Sequence, residues 1–251
     1  MIAGESTEHR GVSRGTSPVA TVPPLDAGPV VFVDDLGSPE LGPDDRHHLE
    51  RVLRVRRGGS IVCSDGTGYW RRCRLGTHVE PDGDIERIAR SLPPIRVGFA
   101  LVKGEKPELI TQKLTEVGVD RIVPFAAERS VVRWDDDRAT RHHERLRRVA
   151  VAAAAQSRRV WLPEVEAPVS FGSLAQQPGV ALADLEGQPP TADLPTVLVG
   201  PEGGWSDSER ARVERRVSFG TQVMRAETAA IVVGATLSAL RAGLVSPAPR
   251  A

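Results

Sequence analysis

Thr196–Trp205, TVLVGPEGGW, is the stretch that most constrains this chain. Val197, Leu198 and Val199 make an apolar run short enough for a buried strand, and Gly200, Pro201, Gly203 and Gly204 then forbid regular structure. A helix signal follows at once. Ser206 stands at an N-cap position with Glu209 three residues on, and the pattern predicts a helix reaching about Val217. Strand, glycine-rich loop and helix together form a backbone that a ligand can approach at bare amides. No Lys follows the glycines, as a phosphate loop would require, and Glu202 would repel a phosphate. A neutral or cationic ligand is the better match, and a turn without any ligand fits the same residues equally well.

A second turn of this kind follows within thirty residues. Val223-Met224-Arg225-Ala226-Glu227-Thr228-Ala229-Ala230 reads as a strand end, a polar break and the start of a helix from Glu227 to about Leu244. Loops at the carboxyl ends of neighbouring strands form the usual ligand cleft of an α/β sheet, so the two turns are expected to face one site.

The 251 residues, 40% of them hydrophobic, are enough for one large or two modest cores. No apolar run approaches the roughly 20 residues needed to span a bilayer. Residues 1–28 lack the apolar core of a secretory signal and hold few large apolar side chains, so they read as a disordered extension whose removal leaves folding and activity intact. Residues 29–92 read as a small β-rich unit: a strand Val30–Val33, a short basic helix near residue 50, and a hairpin Ile61–Leu75 turning at Asp65-Gly66-Thr67-Gly68. That hairpin would put Cys63 opposite Trp70, so no disulfide to Cys73 is expected, and neither cysteine stands at metal-ligand spacing with a histidine. Pro93-Pro94 marks a linker.

Beyond it, strands and helices alternate. Strands are expected at Ile95–Val102, Arg121–Phe125 and Val180–Leu185, and helices at Pro107–Val117 and near Asp137–Ser157, which predicts an α/β domain with a largely parallel sheet. Leu109, Ile110, Leu114 and Val117 would line the buried face of the first helix. All three lysines, Lys103, Lys106 and Lys113, fall at its strand-to-helix turn.

Formal net charge is zero, but its distribution is uneven. Between Arg46 and Arg74 eight Arg face only Glu50 and Asp65, and between Arg129 and Arg159 nine Arg face four acids. Such clusters are the electrostatic footprint expected for a polyanion. A solvated arginine-rich surface is the alternative, since 30 of the 33 basic residues are Arg.

LVGPEGGWSDSE followed by MRAETAAIVVGATLSAL closely resembles the C-terminal signature of the SPOUT-class methyltransferases that modify uridine N3 in 16S ribosomal RNA. HHLERVLRVRRGGSIVCSDGTG (His47–Gly68) resembles that family's N-terminal RNA-binding domain. KGEKPELITQKLTEVGVDRIVPFAAERSVV (Lys103–Val132) and AAAAQSRRVWLPEV (Ala152–Val165) resemble the middle of its catalytic domain. The resemblance covers roughly residues 29–245.

It implies a SPOUT domain over 95–245 with a parallel sheet and a trefoil knot, a topology that general folding rules would reject. A small PUA-like barrel over 29–92 would precede it. It also implies S-adenosyl-L-methionine held by Leu198, Val199, Gly200, Pro201, Glu202, Gly203, Gly204, Met224, Arg225, Ala226, Glu227, Thr228 and Ala229. Arg129, Glu202, Arg225 and Glu227 become catalytic candidates without assigned roles. Arg46, Arg51, Arg54, Arg56, Arg57, Lys103, Lys113, Arg129, Gln156 and Arg159 become RNA-binding candidates. The implied assembly is a cytoplasmic homodimer acting on 16S rRNA or the small ribosomal subunit, with no metal. Relatives commonly carry a Glu before the Gln of the AxxQSxR-like segment, where this chain has Ala155. A SPOUT enzyme with another RNA target, or a non-catalytic RNA-binding assembly factor, would share most of these motifs.

Overall fold

The computed structural model describes residues 22–246, so residues 1–21 of the expected extension lie outside the described residues. The first sheet holds β1 (Val30–Phe32), β2 (Ser60–Ser64), β3 (Tyr69–Leu75), β4 (Val79–Pro81) and β5 (Glu86–Arg87). Its order is β1-β2-β3-β4, with β5 also on β3; β1 and β2 run parallel and the other pairs antiparallel. Between β1 and β2 lie α1 (Pro43–His47) and a π-helical turn, His48–Val52, where a single short helix was expected.

The hairpin turns at Asp65–Gly68, where Asp65 Oδ1 accepts the Thr67 amide at 2.7 Å. Its register sets Cys63 opposite Arg71, not Trp70 as expected, and both cysteines are free and buried. Gly66 and Gly68 are needed for more than their positive φ. A Cβ would stand 2.7 Å from Leu162 Cδ1 at the first and 2.5 Å from the Trp161 ring at the second. The segment Val160–Leu162 crosses the turn that closely. Gly68 N donates to Val160 O, Leu162 N to Gly66 O, and Trp161 Nε1 to Ile88 O, each at 2.9 Å. Ala27, Val30, Val62, Trp70, Ile88 and Val160 then share one core, which joins the small sheet to the larger unit.

Residues 22–28 therefore belong to the fold, against the expectation that they are disordered. Ala27 is fully buried, and the Arg158 guanidinium donates to the carbonyls of Pro23, Pro24 and Gly28. A variant lacking residues 1–28 is expected to lose at least about 2 kcal/mol, because several charge-assisted hydrogen bonds go with the segment. A melting temperature equal to that of the full chain would refute this.

The larger unit runs β6 (Arg96–Ala100), α2 (Lys106–Glu116), β7 (Arg121–Ala126), α3 (Asp136–Gln156), β8 (Glu164–Val165), β9 (Val169–Ser170), α4 (Phe171–Ala175), β10 (Val180–Gln188), β11 (Thr196–Val199), α5 (Asp207–Arg212), β12 (Arg216–Val217) and α6 (Ala226–Arg241). Its seven strands are all parallel, in the order β12-β10-β11-β6-β7-β8, with β9 also on β7. Every residue of β6 and β11 is buried, as strands covered on both faces require. Val97, Phe99, Val197 and Val199 pack on one face with Ile110, Leu114, Leu146, Val233 and Leu237 of α2, α3 and α6. Leu182, Leu198 and Phe125 pack on the other with Phe171, Leu174 and Trp205.

Two expectations need correction here. Leu109 of α2 is exposed, and Thr111 and Thr115 take the buried positions beside Ile110 and Leu114. The helix after Ser206 ends at Arg212: Val213 is extended, and Arg216–Val217 pair in the sheet instead.

Candidate functional site

Because the sheet is parallel, the loops after β6, β7, β10, β11 and β12 all leave its carboxyl edge. The glycine-rich loop after β11 is anchored first. Ser206 Oγ accepts the Glu209 amide at 3.1 Å while Glu209 Oε2 accepts the Ser206 amide at 3.0 Å, the capping box the sequence predicts. Glu209 is buried because its other oxygen accepts the Glu128 amide at 2.8 Å, which ties the β7 loop to the start of α5. Glu128 in turn receives the hydroxyls of Ser206 and Ser208, and these two bonds hold its carboxyl below the usual range. Trp205 stacks on Phe125 at 6.1 Å and donates Nε1 to Ala183 O at 2.9 Å, fixing the middle of β10 beside the loop.

These anchors enclose a cavity of about 300 Å³. Val199, Gly200, Pro201, Glu202 and Gly204 line one side, and Gln222, Val223, Met224, Ala226 and Ala229 another, so the two predicted turns do meet at one site. Ala183, Asp184, Leu185 and Glu186 from β10 and Phe219 and Gly220 after β12 complete the wall. Sequence reading missed this third side, although Val180–Leu185 was a recognisable strand and its carboxyl end was the place to look. A larger cavity of about 1120 Å³ opens at the β10–β12 edge of the sheet between Gly179 and Arg216 and contains none of the glycine-loop residues.

The other expected cofactor residues sit off the cavity wall. Leu198 is buried in the core, Gly203 packs its backbone under Arg129, and Arg225 and Thr228 are exposed at the start of α6. Glu227 is largely covered and faces Lys106. Lys106, absent from the expected site, places Nζ 2.8 Å from Glu202 Oε1 and 3.4 Å from Glu227 Oε2. The hydrogen bond from Lys106 lowers the pKa of Glu202, and the same bond raises that of Lys106. Arg129 Nη1 donates to Gly203 O at 3.1 Å, so this candidate does reach the loop.

The expected RNA-binding residues divide in two. Arg51, Arg54 and Arg56 are exposed around the exposed Val52 and Leu53, and Lys103 and Gln156 are also exposed. The rest make contacts within the chain, Arg57 and Arg129 while still exposed. Arg46 donates to the carbonyls of Gly76 and Thr77, Arg57 to the Thr77 hydroxyl, and Lys113 to Glu116. Arg159 is a correction: its guanidinium donates to the carbonyls of Thr115 and Val119 at 2.7 and 2.9 Å, closing the end of α2, and burial pushes its pKa down to about 10. It is not presented to a polyanion.

The model of the RNA methyltransferase domain family matches residues 90–238, which contain the whole cavity. The chain belongs to that family. Ribosomal RNA small subunit methyltransferase E of Synechocystis is 33% identical over 218 residues, covering 77% of this chain and 70% of that protein. The protein of the same name from Mycobacterium bovis is 33% identical over 239 residues, covering 85% and 87%. Among solved structures, ribosomal RNA small subunit methyltransferase E from Neisseria gonorrhoeae, bound to S-adenosyl methionine, superposes with a TM-score of 0.70 at 25% identity and covers 85% of this chain and 98% of that one. As a member of this family the protein is an RNA methyltransferase, and among its described residues no helix is long and apolar enough to cross a membrane.

Proposed function

We propose that this methyltransferase transfers a methyl group from S-adenosyl-L-methionine to N3 of a uridine in 16S ribosomal RNA of the small subunit, as a cytoplasmic homodimer. The observation that carries the reading is the meeting of both glycine- and alanine-rich turns at one cavity on the carboxyl edge of the sheet, in a chain of this family. The residues present fit the cofactor. Gly200 and Gly204 leave backbone bare on the cavity wall. Glu202 and Asp184 place carboxylates on the cavity wall, each beside a cation, Lys106 at 2.8 Å and Arg210 at 3.1 Å, and no lysine follows the glycines as a phosphate loop would require.

When bound, S-adenosyl-L-methionine supplies an electrophilic methyl group on a sulfonium. The chain's task is to hold the uracil and manage the proton of N3, whose acidity is close to that of tyrosine, about 10. Among the four candidates, Glu202 and Glu227 are the carboxylates, and Arg129 and Arg225 the exposed guanidiniums that would face charge developing on the ring.

A trefoil knot is part of the same proposal. Val217 pairs with Ala183 and again with Gln188, and a Cβ on Gly187 would stand 2.3 Å from Val217 N. Residues 184–188 thus bend tightly around the strand that leads to α6, which supports a threaded chain. A PUA-like identity for residues 29–92 is supported by the small mixed sheet and by the exposed basic turn Arg51–Arg56. Arg51→Ala with Arg54→Ala is expected to weaken RNA binding and to reduce its salt slope by about 0.7 to 0.9 per lost phosphate contact. An unchanged slope would place the RNA surface elsewhere.

The test supplies labelled S-adenosyl-L-methionine and small subunits lacking native methylation, then digests the rRNA. Label is expected in 3-methyluridine. Label in another nucleoside would keep the enzyme class and discard the N3 specificity.

A further inference from the structure

Lys106 joins three segments that are far apart in sequence. It is the first residue of α2, and its ammonium lies between Glu202, inside the β11 loop, and Glu227, in the first turn of α6. We propose that Lys106 is a positioning residue of the methyl-donor site, whose ammonium binds the β11 loop and the α6 loop to each other so that the two walls of the cavity hold as one unit. The proposal rests on the reading that this cavity takes S-adenosyl-L-methionine.

Three observations carry it. First, the two carboxylates share a single cation, so removing that cation leaves like charges facing each other across the seam between the loops. Second, Glu227 is only 14% exposed at its side chain, and its buried Oε2 has no hydrogen-bond partner. Its one close charge partner among the described residues is Lys106, at 3.4 Å. A carboxylate that sheltered is costly to leave without a counter-charge. Third, Lys106 is held by packing as well as charge: Pro107 beside it is buried and α2 packs on the core, so the ammonium sits at the end of a fixed helix. Lys103, at the same turn, is exposed and adds a weaker field at Glu202.

Among the described residues no other repeats this link. Arg129 reaches the β11 loop through Gly203 O only, and Arg225 is exposed at the N-cap of α6. Glu202 is half exposed while Glu227 is covered, so the Glu202 arm of the bridge is the one open to exchange with solvent. An incoming ligand at the cavity mouth meets that arm first, because Glu202 lines the cavity and Glu227 does not.

The test uses the full chain and the variants Lys106→Met, Lys106→Arg, Glu202→Gln and the double variant Lys106→Met with Glu202→Gln. Hydrogen exchange of the ligand-free protein is the first readout. Lys106→Met is expected to speed amide exchange in residues 200–204 and 222–229 together while leaving β6 and α2 protected. Calorimetry with S-adenosylhomocysteine is the second. Lys106→Met is expected to weaken binding roughly tenfold, a coupling of the size that contacting residues show. Lys106→Arg should stay close to the wild type, and the double variant should bind no better than Lys106→Met, because Glu227 still lacks its counter-charge and the link between the loops is still missing.

Unchanged exchange in either loop overturns the proposal, and so does a double variant that binds as the wild type does, since repulsion and not a bridge would then explain the loss. A general loss of protection that includes α2 would do the same, since it makes Lys106 part of the helix's stability and not of the seam. Loosened loops in a chain whose wild type does not bind S-adenosylhomocysteine would support the seam and sink the cofactor reading alone.

Discussion

Gly200→Val is expected to lower S-adenosylhomocysteine affinity about 100-fold and to cost about 1–3 kcal/mol of stability, the range of an overpacked site. A Cβ at Gly200 would stand 3.0 Å from Trp205 Cε2 and 3.2 Å from Cδ2. The indole has nowhere to go. One side stacks on Phe125, another meets Phe171 at 5.5 Å, and Nε1 is bonded to Ala183 O. Two further methyls must therefore enter the cavity or break the contact that holds the middle of β10. Both outcomes change the wall that Gly200 shares with Ala183 and Asp184.

The neighbouring glycines behave differently, which makes the prediction specific. Gly203 points at Arg129, whose Cβ is 3.3 Å from the position a new Cβ would take, and it lies off the cavity wall. Gly203→Val should displace Arg129 and keep most of the cofactor affinity. At Gly204 the space is open but φ is +68°, so Gly204→Ala is expected to cost about 1–2 kcal/mol through backbone strain alone. Calorimetry on the three variants checks the order, and a Gly200→Val protein that binds within threefold of the wild type would remove Trp205 from the account of this site.

The sequence made the two turns legible because each is local. In the first a strand end, glycines and an N-cap lie within a dozen residues, and Ser206 and Glu209 form their box as the spacing predicts, whereas the strand end expected at Val223 before the second is absent, β12 stopping at Val217. What it hid depends on distant partners. Lys106 stands beside Glu202 across 96 positions, and nothing about KGEK announces that pairing. Val213–Val217 keeps a helix-compatible composition, yet the chain extends there because Val217 is taken up between Ala183 and Gln188. The strands β4, β5, β8 and β9 are two or three residues long, too short for an alternating pattern to show. Arg159 carried a charge that looked available to RNA, and only the fold reveals that the carbonyls ending α2 consume it. Residues 22–28 are a similar case, since few large apolar side chains mark them and three of their carbonyls are bound by one arginine 130 or more positions away.

Asp120→Ala should be the most damaging single change to stability, about 3–5 kcal/mol, the cost of breaking a buried ion pair from one side. Asp120 is 4% exposed, and its Oδ2 accepts the Ile95 amide at 2.8 Å and the Arg241 guanidinium. Its other oxygen lies 3.7 Å from Arg90 Nε. Without the carboxylate, Arg241, 11% exposed at its side chain, keeps only the carbonyls of Gly118 and Pro93, and the half-buried Arg159 loses its compensating charge. These contacts fasten the end of α6 to the α2–β7 turn and to the entry of β6, while the other end of α6 carries Glu227 and the cavity residues Ala226 and Ala229. Damage at Asp120 is therefore expected to reach the proposed methyl-donor cavity through the helix. For a chain of this length the loss corresponds to a fall of about 10 °C in melting temperature. Asp120→Ala with Arg241→Met should recover part of it, since the second change removes the stranded charge and leaves an apolar side chain in its place. Thermal melts of both variants decide the matter: a single variant within 1 °C of the wild type, or a double variant worse than the single, would show that this buried pair does not hold α6.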